Sequence, residues 1–396
     1  MKTKKISDPA YINHSFLDKI GEIPVYYGFT AHRTIEIKKG DLDKAKDMLE
    51  GDYIAEDDNS RLPLHVEEKV ALLRAYEEEK MIDKTHPIML YIRDSYKNIN
   101  KKSSTFPRYA DLEILGNDKS IAEATLIQTT CTMLREEGFE DMTVDINSIG
   151  DKDSIARFTR ELGNYYRKHI GDMHAECRQA FKSDPLELLA CTNEKCMEIN
   201  NNAPRSIHHL TEASRVHFQE VLEFLETLDI PYNINNNLIG NKKYCSETIF
   251  EIKQNKKTLA VGVRYDSLSK KLGFKKELAG VGVSILVKRS PELKKELKKT
   301  KRPWVYFVQL GFEAKLLSLP VIEILRKAKI PVFQSLPKDK LGAQVSMAER
   351  MHIPYTMIMG KKEAVEKSVI VRHNETRSQE TILISELGAY MKKLEK

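Results

Sequence analysis

The residues of this 396-residue chain that could do chemistry gather between Thr258 and Arg289. Leu259-Ala-Val-Gly-Val-Arg-Tyr-Asp266 is small and apolar and ends in a charged pair, which suits a buried strand with Arg264 and Asp266 at its end. Ala279-Gly-Val-Gly-Val-Ser-Ile-Leu286 runs from small residues into apolar ones, as a strand entering a helix would. Gly280 and Gly282 lack a Cβ there, so a neighbouring strand or a ligand can approach the backbone closely. Arg289 stands at the far end of this run. Taken bare, the stretch is either a sheet core with a surface arginine or the floor of a polar site. A second group lies at 294–302, Lys-Lys-Glu-Leu-Lys-Lys-Thr-Lys-Arg, with six basic residues and one acidic one. That segment is either a solvated linker or a surface that faces phosphates. The third group is the cysteines, five in all. Cys191 and Cys196 are five apart, Cys177 lies upstream and His208-His209 downstream, but no tight Cys-x-x-Cys pair exists. No metal site is therefore expected, and an odd, thinly spread set reads as reduced thiols in a cytoplasmic protein.

The elements that must position these groups follow from the hydrophobic pattern. Residues 88–92, 109–115, 142–149, 232–238 and 244–252 read as strands, and residues 41–50, 67–81, 121–137, 151–170 and 214–228 as helices, with Asp151 or Asp153 capping the fourth. Beyond residue 303 the pattern changes class. Trp304–Val308, Pro331–Phe333, Pro354–Met359 and Ser368–Val371 are apolar strands, alternating with helices at 316–329 and 338–351 and a closing helix at 377–394. That order predicts a small α/β domain, mostly parallel. Hydrophobic residues make up 41% and charged residues 31%, ordinary for a globular protein of two or three domains. The net charge of +6 permits an anionic partner without demanding one. No apolar run is long enough to span a bilayer, and the basic N-terminus lacks the apolar region of a secretory signal, so neither membrane nor export is expected.

Several stretches resemble the histidyl-tRNA synthetases, class II aminoacyl-tRNA synthetases. Gly262-Val-Arg-Tyr-Asp-Ser-Leu268 is similar to their Gly-Gly-Arg-Tyr-Asp-Gly-Leu segment, and Ala279–Arg289 to the third class II motif, whose arginine lies on ATP. Tyr27-Gly-Phe-Thr-Ala-His-Arg-Thr34 resembles the first motif, a dimer interface in the family, with Ile35 where the family has proline. Asp184-Pro-Leu-Glu-Leu-Leu and Asn202-Ala-Pro204 resemble the family's insertion and the segment leading from it. Leu341-Gly-Ala-Gln-Val, Ala348-Glu-Arg, Ile353–Gly360 and Arg372–Thr381 follow the class IIa anticodon-binding domain closely. The fold implied is α+β: a six-stranded antiparallel sheet with flanking helices, then the α/β domain. The implied division is 1–292 for the catalytic-core domain, with an insertion at about 150–205, 293–302 for a basic linker and 303–396 for the anticodon-binding-like domain.

The chemistry-bearing positions depart from the family. In the second motif Lys97 stands where the family has arginine and Ile99 where it has glutamate; Lys is a point charge and cannot supply the fork of Arg. The histidine-specific Arg-Gly-Leu-Asp-Tyr-Tyr signature aligns with Gly240-Asn-Lys-Lys-Tyr-Cys245, so its arginine is Gly240 and only Tyr244 survives. Glu67 remains where the family holds the amino group of histidine, but Lys69 replaces the later threonine. The resemblance leaves Glu67, Tyr244, Arg264, Tyr265 and Arg289 as candidates for an amino-acid and ATP pocket, and no confident catalytic residue. Lys298, Lys299, Lys301 and Arg302 are the RNA-binding candidates. Together these imply a synthetase-like protein without aminoacylation activity that binds tRNA or a tRNA-like RNA, or serves as a regulatory scaffold for a protein partner, as a homodimer and with no certain cofactor. The alternatives are an active histidine–tRNA ligase with a divergent site, using ATP and magnesium, or a regulatory subunit of ATP phosphoribosyltransferase. The last generally lacks the C-terminal domain present here.

Overall fold

A computed structural model describes residues 17, 19–49, 65–83, 87–93, 96–98, 108–191, 193–287, 303–334, 336 and 340–395. The strands are β1 (Thr30–His32), β2 (Ile35–Ile37), β3 (Ile88–Arg93), β4 (Tyr96–Asn98), β5 (Arg108–Leu115), β6 (Met142–Gly150), β7 (Tyr232–Ile234), β8 (Ser246–Gln254), β9 (Lys257–Arg264), β10 (Gly280–Val287), β11 (Val305–Gln309), β12 (Val332–Gln334), β13 (Tyr355–Met359), β14 (Ser368–His373) and β15 (Gln379–Leu383).

The large sheet has the order β1-β3-β5-β10-β9-β8-β6-β7. Its six inner strands pair antiparallel throughout, and a short parallel strand is added at each edge, β1 on β3 and β7 on β6. Both faces are covered. In β3, alternate residues enter two different cores: Met89 and Tyr91 pack with the helix Ile121–Glu136, whereas Ile88, Leu90 and Ile92 pack with the helix Val66–Glu78. A strand has a side-chain period of two, so a continuous apolar run is what a doubly covered strand requires. The same period sends Ala110, Leu112 and Ile114 of β5 into the first core and leaves Asp111 and Glu113 on the opposite face.

The second sheet, β12-β11-β13-β14-β15, pairs parallel across β12, β11 and β13 and antiparallel across β13, β14 and β15. The mostly parallel order expected is therefore correct for only half of it. The closing helix begins at Ile384, not 377; Gln379–Leu383, with β-branched Thr381 and Ile382, pairs on β14 instead. The run from Gly280 to Val287 is strand throughout, held on one side by β5 and on the other by β9. The strand expected over 232–238 ends at Ile234, because Asn235 Oδ1 accepts the Asn237 N–H at 3.1 Å and turns the chain. The linker expected at 293–302 lies outside the described residues.

The C-terminal sheet is seated on the first by side chains that find partners across the boundary. Tyr27 Oη donates to Glu323 at 2.5 Å, Gln128 Nε2 to the Leu319 carbonyl at 3.1 Å, and Gln334 Nε2 to the Tyr27 carbonyl at 3.0 Å. Between β6 and β7 the chain builds a helical insertion with a small core of its own around Phe158, Leu162, Tyr166, Leu186 and Leu189. Asp151 caps its first helix, Lys152–His169, by accepting the Ser154 N–H at 2.8 Å. Among the described residues no helix is long and apolar enough to cross a membrane.

Candidate functional site

Arg264 and Tyr265 are adjacent in sequence, and the alternation of β9 sends them to opposite faces of the large sheet. Each anchors a buried polar network.

On the face covered by the helix Ile121–Glu136, Arg264 is fully buried and grips Glu123 with both arms of the fork, Nε to Oε1 at 2.7 Å and a terminal nitrogen to Oε2 at 2.6 Å. Its other terminal nitrogen donates to the Asn117 carbonyl at 2.9 Å and to Asp266 at 3.2 Å. His217 Nε2 lies 2.8 Å from Glu123 Oε1. Burial alone would raise the Glu123 carboxyl, but Arg264 and His217 outweigh it and hold the group down at about 2. This guanidinium is spent inside the protein. Asp266, the partner anticipated from sequence, is a secondary one, and it also accepts the Gly280 N–H at 2.9 Å.

On the other face, Lys69 from the first turns of the helix Val66–Glu78 points at β5. Its ammonium donates to Glu113 Oε1 and lies 4.0 Å from Asp111. Tyr265 Oη donates to the second Glu113 oxygen at 2.7 Å, and Ser284 Oγ to Asp111 at 2.5 Å. All of these side chains are buried. Burial pushes the Glu113 carboxyl up and Lys69 pulls it down, leaving it at about 6, ionised at neutral pH. For Lys69, burial opposes the charge, but Glu113 and Asp111 more than compensate and the ammonium is retained. The two glycines of β10 now have their reason. A Cβ on Gly282 would lie 2.0 Å from a Glu113 oxygen, and one on Gly280 would lie 2.5 Å from the Tyr265 ring. They make room for these side chains.

Only some of the remaining candidates lie near this second network. Glu67 Oε1 lies 3.2 Å from His65 Nδ1. Tyr244 is buried in the same core as Tyr265. Gly240 is buried in a loop folded over Asn241, whose carbonyl accepts the Cys245 N–H at 2.8 Å. A Cβ at Gly240 would meet Cys245 Sγ at 2.7 Å and Cys245 Cβ at 2.8 Å, so the position has no room for a side chain. Lys242 pairs with Asp184 at 2.8 Å. Lys97 lies on β4, paired with β2 opposite Glu36 in a two-stranded ladder apart from the large sheet. Arg289, Lys298, Lys299, Lys301 and Arg302 lie outside the described residues. Sequence reasoning missed Asp111, Glu113 and Glu123. The first two carry a signal, since two carboxylates two apart in an apolar strand share one face and require a cation there. Glu123 carries none, for it reaches Arg264 from a distant helix. It also missed the meeting of Cys177, Cys191 and Cys196, whose sulfurs all lie within 4.8 Å of one another.

Comparison with known proteins agrees with this architecture. Residues 304–394 match the family described as the anticodon binding domain. The chain is similar to the histidine–tRNA ligase of Halothermothrix orenii, 28% identical over 373 residues, which covers 91% of this chain and 88% of that protein. It is 30% identical over 340 residues to the histidine–tRNA ligase of Fervidobacterium nodosum, covering 83% of this chain and 80% of that one. Among solved structures, apo histidyl-tRNA synthetase of S. aureus superposes with a TM-score of 0.50 at 22% identity, over 93% of this chain and 92% of that one, a likeness of fold. With relatives that run through both sheets and a matched C-terminal region, this chain belongs to the histidine–tRNA ligase family.

Proposed function

We propose that this chain is a synthetase-like protein that binds tRNA, or an RNA shaped like it, and does not form histidyl-adenylate. The observation that carries the reading is the Lys69 ammonium held against Glu113 and Asp111, with Tyr265 on the remaining Glu113 oxygen. By resemblance, Glu67 and the residue two positions on belong to the pocket that receives histidine's own amino group. A lysine there supplies an internal cation to the buried carboxylates, so a substrate ammonium would have to compete with a covalently attached one. The closed loop at Gly240 supports the same reading, because the family's arginine has no space there. Adenylate formation needs preorganised cations on the α-phosphate and the departing pyrophosphate, and a single such donor is typically worth about 10²–10³ in rate. The chain's own residues offer Lys97 and Gly240 where the family has two arginines.

RNA binding is supported by the matched anticodon binding domain and by the basic segment before it. The two parts divide as 1–292 and 303–396 about that segment, and the first-motif-like stretch Tyr27–Thr34 supports a homodimer, in which a patch meets its own copy. The second reading, an active ligase working in the cytoplasm with ATP and magnesium, is favoured by relatives that bear the name histidine–tRNA ligase and align through both parts of the chain. A role as regulatory subunit of ATP phosphoribosyltransferase is disfavoured by the C-terminal domain. Calorimetric titration with histidine, alone and with a non-hydrolysable ATP analogue, separates the readings. No saturable heat from histidine at millimolar concentration, beside a tRNA complex that weakens with salt, is the result expected. Saturable histidine binding together with ATP would overturn it.

A further inference from the structure

In the helical insertion three cysteine side chains converge from three separate elements. Cys177 lies on the helix Ala175–Ser183, Cys191 ends the 3₁₀ turn Pro185–Ala190, and Cys196 lies on the helix Glu194–Asn201. The sulfurs of Cys177 and Cys191 are 3.1 Å apart and those of Cys196 and Cys177 3.4 Å apart. Cys177 and Cys196 are buried and Cys191 is half-buried, so the cluster opens to solvent on one side only. In a tetrahedral zinc thiolate site with bonds of about 2.3 Å, neighbouring sulfurs lie about 3.8 Å apart. Moving these three outward by well under about 1 Å would make a socket for one ion. A disulfide would instead require one pair to close to about 2.05 Å and leave the third thiol unused. His174 adjoins the cluster through its backbone. Its N–H donates to Cys196 Sγ at 3.4 Å, His174 caps the helix that carries Cys177 three residues on, and its exposed ring, with Nδ1 3.9 Å from Glu176, must turn inward to reach the sulfurs.

We propose that Cys177, Cys191 and Cys196, completed by His174, bind one zinc ion that clamps the insertion. The thiols enter as thiolates, so a divalent ion displaces three protons and the site carries one net negative charge with a neutral imidazole. Four protein ligands leave no open position for a substrate, and the role is structural. The ion ties together three short elements whose shared core is small, and such a binding free energy is folding free energy for that unit. The spacing of fourteen and five residues hides the site in the sequence, because the ligands are gathered by helix packing and not by a tight knuckle.

The test uses the full chain, untagged and reduced under anaerobic conditions. Mass spectrometric metal analysis of protein purified without chelator should give one zinc per chain. The metal-free protein titrated with Co²⁺ should saturate at one equivalent, with a thiolate charge-transfer band of three-sulfur intensity and tetrahedral d–d bands that zinc abolishes. Cys191→Ser should lose about a third of the charge-transfer intensity, and His174→Ala should shift the d–d envelope while keeping that band. No metal above background together with no cobalt band in the wild type would overturn the proposal, as would a Cys177–Cys191 disulfide in the freshly purified protein. Because the cobalt spectrum of the wild type itself counts sulfurs, the result stands even if a variant fails to fold.

Discussion

Replacing Lys69 with methionine removes the ammonium from between Glu113 and Asp111 while keeping the length of the side chain. In the wild type the Glu113 carboxyl sits at about 6 and is ionised at pH 7. Without Lys69, burial and the Asp111 charge both push it upward, and the folded protein at pH 7 must carry Glu113 protonated. Holding a proton on a group whose ordinary value is 4.5 costs about 1.4 kcal/mol for each pH unit above it, about 3 kcal/mol at pH 7; the wild type, with Glu113 at about 6, already bears about 2 of these, so protonation alone makes the variant about 1–2 kcal/mol less stable. Protonation is thus a lower bound on the roughly 3–5 kcal/mol lost when one partner of a buried ion pair is removed, the rest being the lost contacts of the ammonium. The sign follows from a raised folded value: the stability is present below about 4.5 and is lost as pH rises. The deficit of Lys69→Met against wild type should therefore shrink as pH falls from 7 to 5. Adding Glu113→Gln should recover part of it at pH 7, since an amide needs no cation. Urea unfolding of the wild type, the single and the double variant at both pH values reads all of this. A single-variant deficit under about 1 kcal/mol, a pH-independent deficit, or one that grows on acidification would refute the placement of Lys69, because a buried pair cannot be removed so cheaply.

Glu123→Gln should destabilise the fold by about 3–5 kcal/mol at pH 7, as it strands the buried Arg264. In the wild type the depressed Glu123 makes its contribution above about 4.5, and that contribution is lost as pH falls toward 2, visible as a variant deficit that vanishes in acid. Lys97→Arg combined with Gly240→Arg should gain no activity and lose about 1–3 kcal/mol by overpacking against Cys245, measured by chemical unfolding; a gain of histidine binding would mean the loop reopens. Alanine at Lys298, Lys299, Lys301 and Arg302 together should weaken tRNA binding at low salt and flatten its salt dependence by up to about one unit of slope for each phosphate no longer neutralised. An unchanged slope would remove that segment from the interface. Light scattering should give twice the 45.5 kDa chain mass.

The fold was legible because its signals are local. Buried strands such as Ile88–Arg93 and Val305–Gln309 are continuous apolar runs between turn residues, and Asp151 marks a helix start by its own chemistry. Edge elements were less legible. In Gln379–Leu383 the β-branched Thr381 and Ile382 are too short a signal to separate strand from helix, and pairing on β14 decides it. The site was legible as a set of substitutions and illegible as a geometry. Sequence could say that Lys69 replaces a threonine, but not that its amine spans to Glu113, 44 residues on. It left open whether Gly282 admits a ligand or a neighbour, and a carboxylate on the adjacent strand settles the matter. It offered Asp266 for Arg264 because the two are close in sequence, while the bidentate partner Glu123 is 141 residues away. Long-range pairing is set by strand order and helix packing, which no local pattern records.

We propose that a pocket filled from within has lost adenylation. This is tested most directly by histidine-dependent exchange of labelled pyrophosphate into ATP, with magnesium and purified wild-type protein. Exchange should be indistinguishable from a reaction lacking histidine, with no recovery when tRNA is added. Histidine-dependent exchange at a turnover of order 1–10³ per second, the ordinary range for an enzyme, would contradict it and establish the chain as an active ligase.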